Sequence, residues 1–143
     1  LSRLSPLSEF RTRRRIEFSD TDMGGIAHFA RFFVFMETAE HEFLNAIGTS
    51  VHLDVDGQAI GWPRVAATCE YLSPARFGEV LDIYVRVLRK GEKSMSYGFE
   101  ITRGETAIAR GKITSVCCVL NDPAGVRAIP IPDFIADRIE EAR

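Results

Sequence analysis

The most regular pattern in the chain runs from His28 to Ile47. Phe29, Phe32, Phe33, Met36, Ala39, Phe43 and Ile47 recur at spacings of three and four, the period of a helix with a buried face. Gly48 follows as a C-terminal stop. Phe35 widens the apolar surface to well over half of the circumference, so the helix needs cover on more than one side, as a curved sheet would give. Glu40 is the misfit. At about 100° per residue it projects near the middle of the Phe29–Met36–Phe43 stripe. A carboxylate buried there needs a partner or a proton.

The remainder reads mostly as strand. Residues 10–19 form a first strand ending in Ile16 and Phe18, followed by the polar loop SDTDMGGIA. Residues 49–62 read as irregular. After Pro63 come strand-like runs at 64–72, 79–89, 94–102 and 106–120, separated by the turns SPARFG, KGEK and RGE. In the second run, Leu81, Ile83, Val85 and Val87 share one face and Val80, Tyr84 and Arg86 do not lie on it. NDPAG ends the last strand, and a short helix over about 132–142 begins at Pro132–Asp133. Helices do not alternate with strands, which excludes a doubly wound parallel sheet. The expected architecture is α+β, with a five-stranded antiparallel sheet wrapped around one long central helix.

Composition narrows the class. A length of 143 residues predicts a single domain, 1–143, and 45% hydrophobic with 27% charged residues reads as ordinary soluble and globular. Eighteen basic against twenty acidic residues give a net charge of −2, which argues against a nucleic-acid binder. No apolar run approaches the length of a membrane span. The opening LSRLSPLSEF lacks the apolar centre of a signal peptide, and the missing initiator Met is expected to reflect trimming. Cys69 stands alone, and the neighbours Cys117 and Cys118 point to opposite faces of a strand, badly placed for a bridge. The expectation is three reduced thiols in a cytoplasmic protein. His28, His41 and His52 share no ligand spacing with a cysteine, so no metal is expected. GxGxxG, Walker and GxSxG motifs are absent.

Candidate chemistry concentrates in Asp20-Thr21-Asp22-Met23-Gly24-Gly25-Ile26-Ala27-His28-Phe29. Unpaired amides at a helix start carry partial positive charge and can stabilise an oxyanion. A carboxylate in the preceding loop can attack a carbonyl or activate a water. An acid before a helix can equally be a cap, and spacing alone leaves both readings open.

The stretch IEFSDTDMGGIAHFARFFVFMETAEHEFLNAIG resembles the signature of the hotdog-fold acyl-CoA thioesterases, in the 4-hydroxybenzoyl-CoA thioesterase and YbgC-like branch. The likeness continues more weakly through EYLSPARFGEVLDIYVRVLRKGEKSMSYGFEI. It implies a hotdog domain that hydrolyses an acyl-CoA, with Asp22 as nucleophile or general base and the Phe29 amide as oxyanion donor. It also brings Glu37 in as an acid that orients water or substrate, with Glu40 as an alternate. Gly25, His28, Trp62 and Pro63, with the nearby Val65, fall where relatives contact substrate. Here His28 stands one place from the usual histidine and Arg31 replaces a usual Asn, so His28 carries no catalytic role. Arg89, Lys90, Lys93 and Ser94 match the turn that binds coenzyme A phosphates. Coenzyme A enters as part of the substrate, and no cofactor is implied. A homodimer with a continuous sheet, assembling to a homotetramer, is implied as well. The rival readings are a hydroxyacyl-thioester dehydratase and a non-catalytic acyl-CoA-binding module.

Overall fold

The computed structural model describes residues 5–143; residues 1–4, part of the opening stretch, lie outside the described residues. In chain order the elements are β1 (Glu9–Arg15), α1 (Arg31–Ala46), β2 (Leu53–Val55), β3 (Gln58–Gly61), β4 (Arg64–Tyr71), β5 (Val80–Lys90), β6 (Ser94–Arg103), β7 (Thr106–Val116), β8 (Cys118–Asp122), β9 (Gly125–Ala128) and α2 (Asp133–Ala136). Five strands form an antiparallel sheet in the order β1-β5-β6-β7-β4, and α1 packs on its inner face. A second sheet has the order β2-β3-β8-β9. The expected α+β arrangement of five strands around one helix is present, with the second sheet added to it.

The inner face follows from strict alternation. Leu81, Ile83, Val85 and Val87 of β5 and Met95, Tyr97, Phe99 and Ile101 of β6 are all buried. They share one core with Phe32, Phe35, Met36, Ala39, Phe43 and Leu44 of α1. Burying each large apolar side chain contributes roughly 1.5–3 kcal/mol, so this layer dominates the fold. The outer face is a lattice of charge. Arg13 pairs with Asp82 at 2.9 Å, and the Arg11 guanidinium lies 4.0 Å over the Tyr84 ring. Within the run Arg13–Arg15, only Arg14 turns inward, as alternation requires.

Several boundaries differ from expectation. The first strand stops at Arg15, and Phe18–Asp20 is a single 3-10 turn. The helix starts at Arg31 rather than His28, so Phe29 lies outside its buried stripe and is exposed. Its C-terminus does stop as expected. Gly48 has φ +83°, and Thr49 N–H donates to Leu44 O at 3.0 Å while Gly48 N–H donates to Asn45 O at 3.0 Å. These two bonds cap the last carbonyls. The segment 49–62 is not irregular, because β2 and β3 lie in it. The run 106–120 is two strands broken at Cys117, and the C-terminal helix is only one turn.

The break has a physical cause. Pro63 has no N–H, so the β3–β4 line cannot continue its ladder there. Pro63 O accepts the Val116 N–H at 3.0 Å but Pro63 returns no bond, and the next residue, Cys117, turns between β7 and β8, its N–H donating to Lys93 O at 2.7 Å and its O accepting the Ile129 N–H at 2.9 Å. The sheet therefore divides at Trp62–Pro63 and Cys117. All three cysteines are free. Among the described residues no helix is long and apolar enough to cross a membrane.

Met36 of α1 packs directly over the backbone of Gly111 in β7. A Cβ there would stand 2.2 Å from Met36 Sδ and 2.9 Å from Thr68 O. Gly111→Ala is expected to destabilise the protein by about 1–3 kcal/mol through overpacking. Denaturant unfolding checks this, and pairing the change with Met36→Ala should recover part of the loss.

Candidate active site

Asp20 and Asp22 are two residues apart and have opposite surroundings. Asp20 is fully buried. Arg14 Nη2 donates to both of its carboxylate oxygens at 3.1 Å, and Arg31 reaches Oδ1 through Nε at 2.9 Å and Nη2 at 2.8 Å. The Glu17 N–H donates to Oδ2 at 2.8 Å. The Asp20 carbonyl accepts the His28 N–H at 2.8 Å. Burial pushes the Asp20 carboxyl up, but the Glu17 amide and the Arg14 and Arg31 guanidiniums outweigh it and hold it below the ordinary carboxylate range. Asp20 thus ties β1, the loop and the start of α1 together.

Asp22 is exposed, and the only hydrogen bond to its carboxylate among the described residues is from Gly24 N–H to Oδ1, at 2.8 Å. The turn is closed by Gly25 N–H to Asp22 O at 3.0 Å and Asp22 N–H to Ile26 O at 3.0 Å. Asp22 stands between two clefts. One, of about 440 Å³, is lined by Ile26, Phe29, Phe32, Tyr71 and Leu72, with Ala75 and Ala27 as buried floor. The other, of about 530 Å³, is lined by Phe18, Met23, Gly25 and Phe77. Both volumes suit a small organic ligand.

The helix start also faces this region. Phe29 lines the first cleft with Asp22, and its N–H has no partner among the described residues. His28 belongs to the turn that precedes α1. Its Nδ1 accepts the Ala30 N–H at 3.1 Å, and its ring stacks on Phe29 at 4.6 Å. The fold therefore brings Asp22, Gly25, His28 and Phe29 together.

Other expected residues lie elsewhere within the chain. Glu37 is half-exposed on α1, with Arg64 Nη2 at 3.7 Å, and lines neither Asp22 cleft. Trp62 is buried in the core at the division of the sheet, beside Pro63, and Val65 is exposed on β4. At the β5–β6 turn, Arg89 and Lys93 are exposed and Ser94 is half-buried. Lys90 is engaged: its Nζ donates to Ala136 O at 2.9 Å and Ile139 O at 2.8 Å, holding α2 and the residues after it. Sequence reasoning missed Tyr71, Phe32, Phe18 and Phe77 as cleft walls. Tyr71 and Phe77 lie in the quoted EYLSPARFG, but only the fold brings that turn beside Asp22.

Glu40 finds its partner in the same chain. Arg64 bonds it through Nη2, and Arg64 Nη1 donates to Trp62 O at 2.9 Å and Ser115 Oγ at 3.0 Å. Burial pushes Glu40 up to about 7 against the pull of Arg64.

Residues 16–139 match the thioesterase-like superfamily. The chain belongs to that family. Membership makes it a thioester hydrolase with the hotdog fold. It is 28% identical to the acyl-CoA thioester hydrolase YbgC of Escherichia coli over 137 residues, covering 92% of this chain and 96% of the relative. It is 25% identical to the 1,4-dihydroxy-2-naphthoyl-CoA hydrolase of Nostoc punctiforme, covering 94% and 88%. The solved 4-hydroxybenzoyl CoA thioesterase of Pseudomonas sp. strain CBS-3 shares the fold, with a TM-score of 0.77, 23% identity and coverage of 91% and 99%. The family frame thus spans the loop, the helix and the sheet described above.

Two stability predictions follow from the two buried carboxylates. Asp20→Asn leaves two guanidiniums without their counter-charge. The cost is expected at the lower end of about 3–5 kcal/mol, because Arg14 and Arg31 retain some contact with water. Since the Asp20 carboxyl is held low, its stabilisation is present above about pH 4 and lost as pH falls below that. Chemical unfolding at pH 7 and pH 3 should therefore separate wild type from Asp20→Asn more at pH 7. Glu40 has the opposite sign. Its raised carboxyl binds a proton in the folded state where the unfolded chain does not, so its contribution is greatest below about pH 4.5 and is lost as pH rises through about 7. Melting temperatures across pH 5–8 should fall more steeply for wild type than for Glu40→Gln.

Proposed function

We propose that this protein hydrolyses an acyl-CoA thioester to a free acid and coenzyme A, with Asp22 as the reacting carboxylate. The observation that carries this reading is the contrast between the two acids. Asp20 is enclosed by guanidiniums, whereas Asp22 is open, has one oxygen held by Gly24 N–H and shares a cleft with the unpartnered Phe29 N–H.

The chemistry needs two things at the carbonyl. The Phe29 N–H, in the turn that leads into α1, donates to the carbonyl oxygen as negative charge builds on it, with the helix dipole behind it. Asp22 either attacks the carbonyl carbon or takes a proton from a water that does. A C–O bond forms, the C–S bond breaks, and the coenzyme A thiolate leaves and is protonated. If Asp22 attacks, water then hydrolyses the mixed anhydride and restores the carboxylate. The clefts on either side of Asp22 suit the two arms of a thioester, acyl and pantetheine. Arg89 and Lys93 remain the exposed cations for coenzyme A phosphates at the β5–β6 turn. Gly25 shapes the Asp22 turn; Glu37 and Pro63 line neither Asp22 cleft and would reach a site only from a second copy, while Trp62, buried in its own core, would support such a site from beneath.

A second copy is part of the proposal. β4 is a sheet edge carrying Val65, Ala66, Ala67 and Thr68, all exposed and uncharged. An edge of that kind invites strand pairing, while the other edge, β1, carries four arginines. Antiparallel pairing through β4 would extend the sheet across a homodimer, and two dimers would give the homotetramer.

Thiol release from short, long and aromatic acyl-CoAs tests the reading. Asp22→Asn is expected to lower turnover by at least about a hundredfold, with a melting temperature close to wild type because Asp22 is exposed. Acyl-CoA binding without thiol release in the wild type would move the protein to the binding-module reading.

A further inference from the structure

We infer that Tyr71 and His28 are positioning residues that fix the oxyanion-donating Phe29 N–H from the far side of its residue. The inference rests on the thioesterase reading and concerns how the donor is held.

Two consecutive peptides are pinned, and one N–H is left over. The Phe29–Ala30 peptide is held at both ends. Its carbonyl accepts the Tyr71 hydroxyl at 2.8 Å, and its N–H donates to His28 Nδ1 at 3.1 Å. The preceding His28–Phe29 peptide is held at its oxygen, which accepts the Arg31 N–H at 2.9 Å. The His28 N–H is itself bonded to Asp20 O. Among the described residues only the Phe29 N–H of this set is without a partner, and it belongs to a residue that lines the Asp22 cleft.

The rings add stiffness. Tyr71 meets Phe29 edge-on at 6.5 Å and Phe32 edge-on at 5.4 Å, and His28 stacks on Phe29. Tyr71 ends β4, so the hydroxyl bond fastens the start of α1 to the edge strand of the sheet. Partial burial, then the Cys69 thiol beside it, raises the Tyr71 phenol above its ordinary value, which keeps it a donor at neutral pH. His28 contributes through Nδ1, the acceptor of the Ala30 N–H, and so acts on the turn by holding its backbone. An oxyanion donor stabilises the transition state only where it is already oriented, and small displacements are costly.

The test is steady-state thiol release with wild type, Tyr71→Phe, His28→Asn and His28→Leu. Tyr71→Phe keeps the ring packing and loses one hydrogen bond. Its kcat is expected to fall about tenfold with KM within about twofold, the mark of an interaction realised in the transition state. Asn at 28 offers a side-chain oxygen to the Ala30 N–H and is expected to retain most of kcat. Leu at 28 offers none and should lose about tenfold. A Tyr71→Phe enzyme with wild-type kcat, or with its loss confined to KM, overturns the inference. So does equal activity of His28→Asn and His28→Leu. Absence of thiol release from the wild type would instead overturn the thioesterase reading on which the inference stands.

Discussion

A single buried carboxylate organises the loop that carries Asp22. Asp20 sits where β1, the 3-10 turn and the approach to α1 meet, with no exposure to solvent. It is tolerable there because Arg14, Arg31 and the Glu17 amide surround it with donors. Its own backbone carbonyl then receives the His28 N–H, so the same residue fixes both ends of the segment that carries Asp22. The loop between has little core of its own, since Asp22, Met23, Gly24 and Gly25 are all exposed. Its own turn bonds and the Ala27 N–H to Ala75 O bond at 2.7 Å shape it, and the ionic anchor at Asp20 fixes where it leaves β1 and enters the helix. Rigidity at Asp20 is therefore what lets Asp22 stay open and still be placed.

The same division of labour appears along the central helix. Glu40 stands among Met36, Ala39, Phe43 and Leu44, where an isolated charge would be expelled. Arg64 answers it and is itself held by Trp62 O and Ser115 Oγ, beside the division of the sheet. That division lets β3 and β8 leave the plane of the main sheet and form the second one. A polar pair inside an apolar layer adds little net stability by itself, yet it admits few alternative arrangements of helix against sheet. Glu37 and His41 lie on the same helix near this arginine, which makes the region responsive to charge.

What the sequence disclosed followed the strength of each local signal. The long helix was legible because Phe32, Met36, Ala39 and Phe43 keep one period and Gly48 marks the end. Its start was not, because Phe29 fits that period and yet is turned out by the Asp20–His28 bond, a contact that spans eight residues and leaves no trace in hydropathy. The four strands after Pro63 were legible through alternation and turn residues. β2 and β3 were hidden because strands of three and four residues are too short to show a period. The break at Cys117 was hidden because its cause, Pro63, lies fifty-four positions away and acts only once β4 meets β7. In the candidate site, the resemblance singled out Asp22 and Phe29. It could not assign Asp20 its role, since that depends on which way Arg14 turns from the strand. Lys90 shows the converse, for a cation that fits a phosphate-binding turn is occupied by backbone carbonyls of the C-terminal segment.

Tyr71 connects these levels. It is the last residue of an exposed edge strand, where a tyrosine needs no explanation by burial alone. Its ring covers Phe32, the first buried phenylalanine of α1, and its hydroxyl reaches the carbonyl of Phe29 outside the helix. The sheet edge thereby sets the conformation of the turn that feeds the helix, while Asp20 sets it from the opposite side through His28. A helix terminus left to itself frays, and its amides are satisfied by water. Held from two elements, this one keeps the Phe29 N–H, unpaired among the described residues, beside Asp22, and an unpaired amide in a fixed place is what the proposed reaction requires of a carbonyl oxygen's donor.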